Sequence, residues 1–154
     1  MSDLQTRFAE ADESPGLLLW RVGNRWQAMV REALAPHDLT HTQFVLLASL
    51  TWLRRGRDEP VTQRDLAAHA RTDVMMTSQV LRALETKGLV ERRPHPADAR
   101  ARDLVVTPAG VHTVNAAIVS VEDCDAAFFA DAGPDLPGLV SALARLAGPE
   151  RPPA

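Results

Sequence analysis

Cysteine is almost absent from this chain: among 154 residues only Cys124 carries a thiol. One thiol forms neither an intramolecular disulfide nor a thiolate metal cluster, which fits a reducing compartment and leaves any redox chemistry dependent on a second chain. Long apolar runs are missing too. No stretch approaches the roughly 20 residues that cross a bilayer. The opening MSDLQTRFAEADESP is acidic and polar where a secretory signal is basic and then apolar. A cytoplasmic location with no membrane partner is therefore expected. A Gly-rich phosphate loop, a nucleophile elbow and a paired-carboxylate arrangement are also lacking. Neither an enzyme nor a cofactor is expected. His37 and His41 are four apart, but Pro36 and a cap at Thr40 break any helix joining them, so no metal pair is implied.

Excess positive charge is the last thing missing, since the formal net charge is -3. Its distribution matters more than its sum. Residues 62–107 hold eight basic and six acidic side chains, net +2, against nine and fourteen in the remainder, net -5. What is present is otherwise ordinary: 45% hydrophobic and 24% charged residues suit a folded chain of one domain.

Punctuation divides that domain. Ser14-Pro15-Gly16 is a cap followed by a first-turn proline, and Leu18, Leu19, Val22, Trp26, Met29, Val30 and Ala33 then recur at helical spacing until Ala35-Pro36. Thr40 and Gln43 form a capping box that opens a second helix running to about Arg54, with Phe44, Leu47, Leu50 and Leu53 as its stripe. Residues 55–60 are a polar loop. Thr62-x-x-Asp65 opens a short third helix ending near His69. Asp73 caps a fourth, whose inner positions are Val74, Thr77, Val80, Leu81 and Leu84, and Gly88 stops it. Leu89–Arg92 and Leu104–Val106 are expected as short strands flanking a polar hairpin tip over residues 94–102. Thr107-Pro108 begins a fifth helix of about twenty residues, carrying Val111, Val114, Ile118, Val121 and Phe128 up to Gly133-Pro134. A sixth from about Asp135 holds Leu136, Leu139, Val140, Leu143 and Leu146. The expected fold is mainly α with a small β-wing: a winged helix-turn-helix of six helices over residues 15–147, with residues 1–14 and 148–154 poorly ordered.

Helix four separates two tasks by angle. Opposite its apolar stripe, Met75, Ser78, Gln79, Arg82 and Thr86 fall on one line. Arginine pairs bidentately with guanine and glutamine with adenine, serine bonds to either, and methionine touches thymine methyls. A solvated polar face would read the same way, so the hairpin decides between the two. Arg92, Arg93, Arg100 and Arg102 lie on and around a tip stiffened by Pro94 and Pro96, where arginine can enter a narrow minor groove or pair with phosphates. Asp98 interrupts the basic run, either pairing with Arg100 to shape the tip or acting as a turn residue.

These residues carry a family pattern. Leu39-Thr40-x-x-Gln43-Phe44-x-x-Leu47, Thr62-Gln63-x-x-Leu66-Ala67, Leu84-Glu85-x-Lys87-Gly88-Leu89-Val90-Glu91-Arg92 and Pro96-x-Asp98-x-Arg100, followed by Leu104-Val105-Val106-Thr107-Pro108-x-Gly110, together resemble the MarR (multiple antibiotic resistance) regulators over about residues 15–147. The resemblance implies a homodimer whose helices over about 15–35 and 108–147 intertwine, while winged helices of about 40–107 each read half of a palindrome of roughly 20 bp. It implies a repressor released by a small aromatic or phenolic ligand. Positions matching DNA-facing ones are Met75, Met76, Ser78, Gln79 and Arg82 on helix four, with Asp98, Arg100 and Arg102 on the wing. Met75 and Met76 depart from the small polar residues commoner there, and Thr77 matches a buried spacer. Trp20, Trp26, His41 and Trp52 are the candidates for lining a ligand cleft, although tryptophans on an apolar stripe are also ordinary core. Cys124 lies far from the N-terminal cysteine of peroxide-sensing relatives and is expected to be passive. The competing readings are a winged helix serving as a protein-interaction module, which would show an apolar outer face and an uncharged wing, and a ligand sensor without DNA binding.

Overall fold

The computed structural model describes residues 4–149, and five of its six α-helices begin at a side-chain cap. Helix α1, Pro15–Leu34, starts where Ser14 Oγ accepts the Leu17 amide, with Pro15 in the first turn. The boxes at α2, His41–Arg54, and α3, Gln63–Ala70, are both reciprocal: Thr40 with Gln43, and Thr62 with Asp65. Asp73 caps α4, Val74–Thr86, and Thr107 caps α5, Pro108–Phe129. Only α6, Leu136–Ala147, lacks a side-chain cap; it follows a 3-10 segment, Ala130–Asp135, in which Gly133 turns the chain at a φ of 50°. Ala11–Glu13 and Ala35–His37 form two further 3-10 turns, the first being an element without an expected counterpart. Residues 1–3 and 150–154, parts of the segments expected to be poorly ordered, lie outside the described residues.

Strands β1, Val90–Pro94, and β2, Arg102–Val106, pair antiparallel in the register Val90↔Val106 and Arg92↔Leu104. Each is longer than expected toward the tip. The sheet is joined to the loop after α2 at one point: the Leu104 amide donates to the Val61 carbonyl at 2.8 Å, and the Val61 amide donates to Asp103 Oδ1 at 3.0 Å. Arg54, at the end of α2, donates to the same carboxylate oxygen at 2.7 Å. Asp103 thus fastens the base of the wing to the helices with a charge-assisted pair and a backbone acceptor. Its side chain is 17% exposed and that of Arg54 26%. Asp103→Ala leaves a mostly buried guanidinium and an amide without an acceptor, and is expected to cost about 2 kcal/mol in urea denaturation. A loss below about 0.5 kcal/mol would show that water replaces the carboxylate.

One core runs through the fold. Val30 and Leu34 of α1, Leu46, Leu47 and Leu50 of α2, Leu66 of α3, Leu81 and Leu84 of α4, Leu104 of β2, and Val114 and Ala117 of α5 are all fully buried. Apolar surface remains outside it. Leu19 and Trp20 of α1 are 65% and 68% exposed, and α6 buries none of its residues, leaving Leu146 82% exposed. The far end of α6 is held instead by Arg71, in the turn between α3 and α4. Its guanidinium donates to the carbonyl of Ala147, one of the free acceptors that end a helix, and to those of Gly148 and Pro149 just beyond it. No helix among the described residues is long and apolar enough to cross a membrane.

Candidate nucleic-acid interface

Helix α4 is oriented by what it buries. Leu81, Leu84 and Thr77 are fully enclosed, and the Thr77 hydroxyl is satisfied there, donating to the Asp73 carbonyl at 2.8 Å and accepting from Thr72 Oγ1 at 2.7 Å. Thr77 is therefore a buried spacer, out of reach of any ligand. Gln63 ties the start of α3 to that of α4 through the Val74 carbonyl. The outward face carries Met75, Gln79 and Arg82 exposed, Met76 at its edge and Ser78 half-buried. Val74, placed on the inner stripe by its spacing, is 61% exposed. It is the first residue of the helix, where the stripe has run past the core. Val74, Met75 and Met76 consequently give α4 an apolar leading turn ahead of the polar line of Gln79 and Arg82.

The four hairpin arginines divide into two pairs. Arg92 donates to Glu85 of α4 at 2.9 Å and Arg93 to Glu91 at 3.0 Å, so both charges are neutralised within the protein. The guanidinium groups of Arg82, Arg100 and Arg102 have no acidic partner among the described residues. Asp98 pairs with Arg100 through the backbone: its Oδ1 accepts the Arg100 amide at 2.9 Å, which shapes the turn and leaves the guanidinium available. His95, which no sequence motif singled out, caps the same tip by accepting the Ala97 and Asp98 amides on Nδ1.

Lys87 and Thr107 tie the end of α4 to the rest of the chain. Lys87, just past α4, reaches the Asp38 carbonyl and Gln43 Oε1, so its charge is engaged with the start of α2. Thr107 donates its hydroxyl to the Gly88 carbonyl at 2.7 Å and its amide to the Leu89 carbonyl at 3.0 Å, while its oxygen caps the Gly110 amide. The end of α4, the root of the wing and the start of α5 therefore meet within a few residues.

A second cluster lies between α1, α2 and α5. Trp26 Nε1 donates to Asp125 Oδ1 at 2.7 Å, and the Trp26 ring meets His41 edge-on with centroids 5.1 Å apart. Burial lowers the pKa of His41, with Asp125 opposing and Arg31 adding to the effect. Burial, then the charges of Asp125 and Glu32, raises that of Cys124, which favours the protonated thiol. Of the four aromatic candidates only Trp26 and His41 come together. Trp20 and Trp52 are 68% and 62% exposed within the chain, which overturns their alternative reading as core; Trp52 carries the Arg55 guanidinium 5.7 Å from its ring centre. His37 bonds Ser120, and no group of three or more metal-binding side chains occurs among the described residues.

The chain has relatives both in sequence and among solved structures. A model of the MarR family matches residues 39–101, which span α2 to the wing. The HTH-type transcriptional regulator YdcH of Bacillus subtilis (strain 168), itself uncharacterized, is 46% identical over 127 residues, covering 82% of this chain and 86% of its own. Among solved structures, the transcriptional repressor CouR bound to a 23-mer DNA duplex superposes with a TM-score of 0.81 at 28% identity, covering 95% of this chain and 99% of its own. CouR from Rhodococcus jostii RHA1 bound to p-coumaroyl-CoA gives 0.79 at 26% identity, covering 92% and 97%. With the winged helix-turn-helix in place and a relative of this identity along most of its length, the chain belongs to the MarR family of DNA-binding transcriptional regulators.

Proposed function

We propose that this regulator is a homodimeric repressor that occupies a palindromic promoter site of roughly 20 bp and is released by a small aromatic or phenolic ligand. One observation carries the reading: of the arginines around the outer face of α4 and the wing, Arg92 and Arg93 are consumed by internal pairs, while Arg82, Arg100 and Arg102 are exposed and unpaired. In this reading Met75, Met76, Ser78, Gln79 and Arg82 face the major groove. Asp98 shapes the wing, and Arg100 and Arg102 reach the minor groove and its phosphates. The apolar surfaces of α1 and α6 support pairing of two chains through residues of about 15–35 and 108–147, since such area is rarely left to water. Two copies of α4 then stand about 34 Å apart, one DNA turn. The dimer acts where the DNA is, in the cytoplasm. Trp26 and His41 form the wall of the ligand cleft, and Trp20 belongs to the dimer face; CouR, solved with DNA and with p-coumaroyl-CoA, is the precedent among its relatives.

Selection of bound duplexes from a random pool, followed by footprinting, tests this directly. The expected outcome is one palindromic consensus, and binding without sequence preference at physiological salt would overturn it. Within that consensus, Gln79→Ala is expected to relax preference at a single base position in each half-site, by about tenfold, while affinity for unrelated DNA stays unchanged. Uniform loss on all sequences would place Gln79 on the backbone instead.

A further inference from the structure

We propose that His95 is a positioning residue for DNA binding: its imidazole holds the wing tip in the shape that presents Arg100. The inference rests on the reading above, in which the wing contacts DNA. Imidazole Nδ1 stands at the same distance from the backbone as the Oδ of an aspartate or asparagine, two bonds beyond Cβ. His95 uses it as those residues use their oxygen in a turn. Nδ1 accepts the Ala97 amide at 3.1 Å and the Asp98 amide at 3.0 Å. Asp98 then repeats the device one step on, its Oδ1 accepting the Arg100 amide at 2.9 Å while its carbonyl takes the Ala101 amide at 3.2 Å. The two caps are in series, so the placement of Arg100 depends on His95 through Asp98.

Among the described residues, no side chain other than those of His95 and Asp98 caps this turn. Residues 94–102 contain no glycine and no residue with positive φ, the usual means of reversing a hairpin. Pro94 and Pro96 on either side of His95 have no amide to donate, and a residue before proline is biased toward extended backbone, which suits a ring that reaches forward along the chain. A ring nitrogen that accepts two amides carries a lone pair, so the proton sits on Nε2.

The test uses the full chain, its selected duplex, and the variants H95A, H95N and R100A. H95A is expected to weaken binding about fivefold, the scale of losing two exposed hydrogen bonds. H95N, which keeps an acceptor at the same place, is expected to stay within about twofold of the parent. In the free protein at mildly alkaline pH, nitrogen-15 shifts of His95 should show Nε2 protonated and Nδ1 bare. A proton on Nδ1, or H95N as weak as H95A, would overturn the proposal, as would full affinity in H95A while R100A is impaired. Full affinity in R100A would instead remove Arg100 from the interface, and the role of His95 with it.

Discussion

Removing both free wing arginines, Arg100→Ala with Arg102→Ala, is expected to weaken binding to the operator on the order of a hundredfold at physiological salt. The size follows from symmetry as much as from charge. In the proposed dimer each substitution is present twice, so four guanidinium groups leave one complex. Every phosphate left without its arginine lowers the slope of log affinity against log salt by about 0.9, so the whole slope should fall by about 2 to 4. Unrelated sequences should suffer nearly as much as the operator, because phosphate and groove-width recognition carries little base identity. Arg93→Ala is the internal comparison, being equally cationic and on the same hairpin but already paired with Glu91. It is expected to change affinity by less than about threefold. Equal losses for the two sets, measured by fluorescence anisotropy over a salt series, would show that only the hairpin's overall charge matters.

The largest effect on stability is expected at Gly110. At an ordinary helix position glycine to alanine stabilises by about 0.5 to 1 kcal/mol. Gly110 lies in the first turn of α5, fully buried, and there an added Cβ would overlap the Leu89 carbonyl oxygen and come within 2.8 Å of Val106 Cγ1. The carbonyl cannot step aside, because it accepts the Thr107 amide at 3.0 Å. Gly110→Ala is therefore expected to destabilise by about 3 kcal/mol, reversing the usual sign. Thermal and urea denaturation check this, and a variant as stable as the parent would mean that α5 can slide away from the sheet. Where the variant still folds, its operator affinity should drop as well, since the shift needed to admit a methyl group falls at the root of the wing.

What could be foreseen in this chain was mostly local. The caps at Ser14, Thr40, Thr62, Asp73 and Thr107 join residues three apart, so sequence spacing alone announces them, and each is formed. The pairing of Arg92 with Glu85 joins a strand to a helix, and nothing in a linear pattern distinguishes that arginine from Arg100. Helical periodicity located an apolar face on α1 and α6 but is blind to whether the face meets its own core or a second chain. Leu19 and Leu146 therefore looked like packing and emerged exposed. Gly110 stood in the family pattern without a reason until the Leu89 carbonyl appeared against it. His95 did have a signal: a ring acceptor placed two and three residues before free amides, where an Asp or Asn would have been taken for a turn at once.

The meeting point at Thr107 has a mechanical meaning. Helix α5 leaves it as a rod of 22 residues, about 33 Å long, and hydrogen bonds from Thr107 tie its start to Gly88 and Leu89, just past α4. Such a joint works as the fulcrum of a lever. A tilt of about 5° at one end of the rod carries the other end by about 3 Å, comparable to the length of a hydrogen bond. If the proposed ligand binds beside Trp26, near Asp125 at the far end of α5, it would need neither to touch DNA nor to unfold anything: a small rotation there would shift α4 of each chain in the proposed dimer relative to the groove.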